Sequence, residues 1–184
     1  MRAVRRLGIL CLIAILSSCA SLPDEDAALP PDGFLVKARV AVRYGEEAAS
    51  GRVVWRHSDS RDELLMSNPL GQGIVELSGR PGAYELRLAD GKQFMAPDAE
   101  ALTEEALGWR LPLNGLPQWI RGRALQGVAT EATMDGSRYA ELLQNGWQIN
   151  YLAWDEARNL PQRLRLRRDD LDIRLAIEEW TLGQ

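Results

Sequence analysis

Histidine and cysteine are almost missing from this chain. His57 is the single histidine, and the two cysteines, Cys11 and Cys19, both fall near the start of the 184 residues. A transition-metal site needs several such ligands at close spacing, and no His or Cys pair has that spacing. Also absent are a Gly-x-Ser-x-Gly elbow, a phosphate loop and a dinucleotide fingerprint. No stripe of Lys and Arg interleaves with aromatics, and the formal charge is −4, so nucleic acid is not an expected partner. Carboxylates are plentiful, but they sit mostly at outward strand positions or in helix first turns. Glu104-Glu105 and Asp169-Asp170 read as solvated surface, and neither Ser67 nor Lys92 has a partner that would activate it. Neither catalytic residues nor a metal nor a cofactor is expected.

Long apolar runs are also scarce, and the one that exists is at the N-terminus. Arg2, Arg5 and Arg6 precede LGILCLIAIL (residues 7–16), which leads into SSCAS. A basic start, a short apolar run and small residues describe a secretory signal. The run is about half of the ~20 residues needed to span a bilayer, so it does not read as a permanent transmembrane helix. Leu16-Ser17-Ser18-Cys19 resembles the bacterial lipobox, in which the cysteine becomes the acylated first residue of the mature chain. Cys11 would then leave with the signal and Cys19 would carry lipid, so no disulfide is expected although export would permit one. Removing residues 1–18 discards three arginines and no acid, which leaves the mature chain more acidic. By resemblance to bacterial sorting rules, Ala20 after the cysteine favours the outer membrane. Residues 20–32, ASLPDEDAALPPD, have prolines and acids without apolar periodicity and read as a tether. The expected organisation is a signal at 1–18, an acylated tether at 19–32 and one domain at 33–184.

From Gly33 the dominant period is two. Phe34, Val36, Ala38, Val40 and Val42 alternate with Leu35, Lys37, Arg39, Ala41 and Arg43, the pattern of a half-buried strand. GRVVWRH, DELLMS, IVELSG, YELRLA and QFMA continue a meander, with Asp90-Gly91 as a hairpin signal. At Pro97 the period lengthens: Ala99, Leu102, Ala106 and Leu107 lie on a helical face that Gly108 terminates. Residues 111–122 suggest a second short helix, with Pro117 near its start and Gly122 at its end. Sheet resumes with GWQINYLAW after Asn145-Gly146, placing Trp147, Ile149, Tyr151 and Ala153 on one face, and RLRLRR and LDIRLAIEEW complete the run. Strands, two helices and strands again predict a curved antiparallel sheet with helices on one side.

Two features remain once chemistry is set aside. Six tryptophans are a large supply of bulky side chains, able either to fill the interior or to line a hollow one. The other is SNPLGQG, residues 67–73, a type I turn in which Asn68, Pro69 and Gly71 take the first, second and fourth places and Leu70 the third. A leucine there either folds back onto its own sheet or stands in solvent.

The order of motifs resembles the LolB family of outer-membrane lipoprotein receptors. It runs from lipobox through Gly51-x-x-x-Trp55 and NPLG to LGWRLPLNGLPQWIRG (107–122), Asn145-Gly146-Trp147 and LPQRLRLRR before Trp180. The resemblance covers essentially the whole mature chain. It implies a mainly β (α+β) fold, an unclosed antiparallel β-barrel with helices covering one opening and a hydrophobic cavity. It further implies a monomer, lipid-anchored at Cys19 in the outer membrane and facing the periplasm. Such a protein would take acylated lipoproteins from a soluble LolA-like carrier and place them in outer-membrane lipid, with no cofactor. Pro69, Leu70 and Gly71 would form the family's protruding membrane-transfer loop. Strand parity then offers Val40, Val42, Val53, Trp55, Leu64, Met66, Leu86, Trp119, Trp147, Ile149 and Tyr151 as the acyl-chain cavity. The alternative is an envelope lipoprotein that binds another amphiphile or acts as an assembly scaffold.

Overall fold

Alternation of apolar and polar residues becomes eleven antiparallel strands in the computed structural model, which describes Pro23 and residues 28–183. The proposed signal, Cys19 and most of the tether lie outside the described residues. The first meander comprises β1 (Phe34–Tyr44), β2 (Glu47–Ser58), β3 (Arg61–Ser67), β4 (Gly73–Arg80), β5 (Ala83–Leu88) and β6 (Gln93–Ala96). The helical segments α1 (Ala99–Leu107) and α2 (Leu116–Trp119) follow. The second meander is β7 (Glu131–Asp135), β8 (Arg138–Gln144), β9 (Trp147–Asp155), β10 (Leu160–Arg168) and β11 (Leu171–Leu182).

The sheet order is β6-β5-β4-β3-β2-β1-β11-β10-β9-β8-β7. The two meanders are therefore joined by one pairing of the first strand with the last, Val36 opposite Trp180 and Val42 opposite Ile173. The outer strands β6 and β7 do not pair, so the barrel stays open, and the residues between them in sequence supply both helices. Because the period is two, one face of β1 carries Phe34, Val36, Ala38 and Val42, all buried, while Arg39, Ala41 and Arg43 are exposed.

Helix α1 forms where its end signals predicted. The Asp98 side chain accepts from the Ala101 N–H at 3.0 Å, and Gly108, at φ 81°, donates to the Glu104 carbonyl at 2.9 Å. The second helix is shorter than the predicted 111–122, with one turn at Leu116–Trp119 and no side-chain cap. Pro112 and Pro117 lack the N–H groups a longer helix would use. Strands β7 and β8 have no counterpart in the sequence prediction. All five residues of β7 are exposed, so no alternation marks it.

The end of the tether region is tied to the barrel. Gly183 N–H donates to the Gly33 carbonyl and Gly33 N–H to the Pro30 carbonyl, at 2.9 and 2.8 Å. Arg56 and Arg121 donate to the carbonyls of Ala28 and Asp32, at 2.8 and 3.1 Å. No helix among the described residues is long and apolar enough to cross a membrane.

Candidate functional site

The inward side chains of the first meander leave a void. Register places Val53 opposite Ala38 and Met66, Trp55 opposite Val36 and Leu64, and Leu77 opposite Leu64 and Leu86. With Val40, Val42 and Val75, and with Ile173, Leu175 and Ile177 of β11, they wall a cavity of about 80 Å³. Its roof is Thr103 and Leu107 of α1, Trp109 and Leu111 beyond it, and Leu116 and Ile120 at α2. Valine and alanine are short, so opposing side chains do not meet across the curved sheet.

Nearly every side chain facing the void is a hydrocarbon, and the polar groups of Thr103 and Trp55 are spent. Thr103 Oγ1 lies 3.0 Å from the Ala99 carbonyl and 3.1 Å from that of Glu100, and it accepts the Leu111 N–H at 2.9 Å. That hydroxyl joins α1 to the roof. The Trp55 indole N–H donates to Asp62 Oδ1 at 2.9 Å. Asp62 is itself buried, with His57 Nδ1 at 2.7 Å and the Tyr84 hydroxyl at 3.4 Å. Burial, together with the Asp62 charge, pushes the Tyr84 hydroxyl up to about 12. His57 packs on the Phe34 ring, 4.9 Å between centroids. The one histidine is thus part of the support that orients Trp55. Among the described residues no group of three or more His, Cys, Asp or Glu could hold a metal ion.

Seven of the residues proposed from parity lie around this void: Val40, Val42, Val53, Trp55, Leu64, Met66 and Leu86. Trp119, Trp147, Ile149 and Tyr151 do not. They fill the space under the second meander, with Trp119 and Trp147 rings 6.1 Å apart and Tyr151 stacked on Trp154 at 5.3 Å. Gln144, buried and fully bonded, ties this region together. Its Oε1 accepts from Trp119 Nε1 and the Leu125 N–H, and its Nε2 donates to the Leu125 carbonyl and Thr130 Oγ1, all within 3.1 Å. Tyr151 donates to the Trp119 carbonyl at 3.0 Å, and burial raises its hydroxyl above the ordinary tyrosine range. The β11 wall was missed although Ile173, Leu175 and Ile177 alternate as cleanly as β1. The roof at 107–120 has no period that could have revealed it.

The loop between β3 and β4 is held by one side chain. Asn68 Oδ1 accepts from the Leu70 N–H at 2.9 Å and the Gln72 N–H at 3.0 Å, while Asn68 Nδ2 donates to Gln72 Oε1 at 2.9 Å. The Asn68 carbonyl accepts the Gly71 N–H at 2.9 Å, closing the turn, and Gly71 sits at φ 85°, where a side chain would be strained. Leu70, between them, is 86% exposed. It stands in solvent and does not return to its sheet. The loop's root is fixed by Gly51, where a Cβ would come within 2.0 Å of the Ser67 carbonyl oxygen.

Comparison with known proteins identifies the family. The family described as "Outer membrane lipoprotein LolB" matches residues 32–180. An outer-membrane lipoprotein LolB of Pseudomonas fluorescens is 35% identical, aligned over 98% of this chain and 99% of its own length. One from Pseudomonas putida strain F1 is 38% identical over 92% of each chain. Among solved structures, a LolA superfamily protein of Nitrosomonas europaea superposes over 85% of this chain and 89% of its own at 9% identity and TM-score 0.49, too loosely to add weight. With a sequence match that spans every strand, the chain belongs to the LolB family of outer-membrane lipoproteins.

Proposed function

We propose that this protein is the receptor that accepts lipoproteins from a soluble periplasmic carrier of the LolA type and inserts them into the outer membrane, without covalent chemistry. The observation that carries the reading is the apolar cavity with no free polar group, set beside a rigid turn that holds one leucine out in water. In this reading Cys19 is the acylated residue and residues 1–18 are removed. Acyl chains at ~0.8 kcal/mol per buried CH₂ anchor the domain as a monomer on the periplasmic side.

Transfer follows from the same hydration cost. A lipoprotein's acyl chains are too costly to expose in the periplasm, and contact between two apolar cavities removes most of that barrier. No nucleotide is required, because cargo moves towards its better environment and the bilayer is the last and best of these. The void holds only a few water-sized groups, so a whole chain enters as the roof of α1 and residues 109–120 moves off the sheet. Leu70 then contributes ~1.5–3 kcal/mol on entering lipid, enough to orient a tethered domain but not to anchor it.

This contact requires the acylated end of the chain and the loop to meet the same bilayer. The loop and the tether root lie at opposite ends of β3, roughly 20 Å apart at ~3.3 Å per residue. The test is a transfer assay from loaded carrier to acylated protein in vesicles. Leu70→Glu should still accept cargo yet deliver it at least several-fold more slowly. Unchanged delivery would remove the membrane role from the loop, and failure of the wild-type protein to accept cargo would remove the receptor reading.

A further inference from the structure

The outer face of the sheet, opposite the cavity, carries arginines in register. Arg52 on β2 lies directly opposite Arg39 on β1, Arg39 opposite Ala176 on β11, and Ala176 opposite Arg163 on β10. In the next outward row, two residues along each strand, Ser50 pairs with Ala41, Ala41 with Arg174, and Arg174 with Arg165. Small residues between long cations leave a depression, and a groove of about 650 Å³ runs there with Arg39, Arg52, Arg163 and Arg174 along it.

Like charges directly opposite across strands are destabilising unless something neutralises them. Glu178 serves Arg39 at 2.8 Å. Asp172 serves both Arg165, at 2.6 Å, and Arg174, at 3.3 Å. Arg52 and Arg163, both exposed, have no ion-pair partner among the described residues. On a chain of net charge −4 this is a local cationic surface against the overall balance.

The position of the groove identifies what it meets. Arg52 is paired with Ser67, the residue before the Asn68 turn, and Pro69 closes that end of the groove. At the other side stands Leu152, 62% exposed. Arginines with no ion-pair partner, flanked by two exposed leucines, match an anionic bilayer surface, which offers phosphates to the former and acyl chains to the latter. A surface of acidic side chains alone would satisfy the cations and leave both leucines in water.

We propose that this groove binds the phosphates of anionic phospholipid headgroups, docking the outer face beside the Leu70 loop on the membrane during delivery. The proposal rests on the receptor reading and deepens it. Arginine presents a planar fork suited to phosphate, and each cation near an anionic leaflet contributes enough to shift binding several-fold.

The test uses the acylated protein reconstituted in vesicles of phosphatidylethanolamine with either phosphatidylglycerol or phosphatidylcholine, supplied with loaded carrier. Wild type should deliver cargo roughly ten-fold faster into the phosphatidylglycerol vesicles, and that advantage should shrink with added salt. Arg52→Glu with Arg163→Glu should abolish the advantage while leaving cargo capture from the carrier in detergent unchanged. Arg52→Lys with Arg163→Lys should keep most of it. If the reversal fails to fold, Arg52→Gln with Arg163→Gln carries the same expectation at smaller size. Equal wild-type delivery into both vesicles overturns the proposal and spares the receptor reading. Loss of capture with no dependence on lipid also overturns it, making the groove a carrier dock. No wild-type delivery into either vesicle overturns both.

Discussion

The two meanders present the same pattern to the inside and use it in opposite ways. Under β1–β5 and β11, valines, leucines and isoleucines, with Ala38, Met66 and Trp55, leave a hollow. Under β7–β10, Trp119, Trp147, Tyr151 and Trp154 close the interior, and Gln144 bonds the Trp119 indole and the Leu125 backbone beside them. One-turn helix α2 is the partition. Leu116 and Ile120 face the void, while Trp119 points the other way into the filled half. The difference teaches that an open barrel can keep a cavity only if another part of the molecule supplies the stability, because cavity walls forgo the contacts that close packing would give.

If that division is right, the largest loss of stability should come from the filled half. Trp119→Ala removes a side chain only 1% exposed and leaves Gln144 Oε1 short of one donor, so it should cost about 3–5 kcal/mol in urea unfolding. A loss under about 1 kcal/mol would mean that the filled half is not the anchor of the fold. Gln144→Leu is the sharper probe, being similar in size and unable to bond. It strands the buried Trp119 indole N–H and both half-buried backbone groups of Leu125, while the exposed Thr130 hydroxyl keeps the Val128 carbonyl, and should cost about 1–3 kcal/mol. Hydrogen exchange should quicken across residues 123–130 and leave β1–β5 unchanged.

Strand faces, the Asn68 turn and helix α1 were legible in the sequence because each is written in a few neighbouring residues. Alternation says which side chains point inward, and Pro97 and Gly108 say where a helix begins and ends. Hollow and filled are not written that way. Trp55 and Trp147 both occupy inward positions of GRVVWRH and GWQINYLAW, and parity reads them alike. What separates them is what lies across the interior, a void with a mostly aliphatic roof in one case and Trp119 in the other, and that depends on the sheet's curvature and on where α2 crosses. Strand β7 was invisible for a simpler reason, since a fully exposed edge has no buried face to alternate. The sequence leaves the exposure of Leu70 open between two conformations, and Asn68's five hydrogen bonds decide it by fixing the turn.

The hollow half should answer to volume in function more than in stability. Val75, half-buried at the cavity wall opposite Met66 and Leu88, can be enlarged into existing space. Val75→Trp should therefore change unfolding free energy by no more than about 1 kcal/mol, less than overpacking a filled core costs. Affinity for a fluorescent fatty-acid probe should fall ten-fold or more, read by titration. Undiminished probe affinity with a strongly destabilised fold would reverse the assignment of the two halves.

The smallest effect belongs to the seam between them. Strand β10 ends the filled meander's run and β11 begins the cavity wall, and across that line Arg165 holds Asp172 through two hydrogen bonds of 2.6 and 3.0 Å. These bonds lower the Asp172 carboxyl below its ordinary 3.8, with Arg174 assisting and partial burial opposing. A depressed folded pKa means that the ionised carboxylate contributes stability above the ordinary value. That contribution is lost as pH falls through the lower, folded one. Asp172→Asn should therefore lower the melting temperature by about 1–2 °C at neutral pH. The gap from wild type should hold between pH 7 and pH 5 and close as pH drops below about 4, where wild type also becomes neutral at this position. A gap that persists at low pH would show that Asp172 acts through shape and not charge. A gap accompanied by weaker probe binding would show that the seam transmits strain to the cavity. The outward placement of Asp172 argues that it does not, since the pair clamps the strands from the face opposite the void.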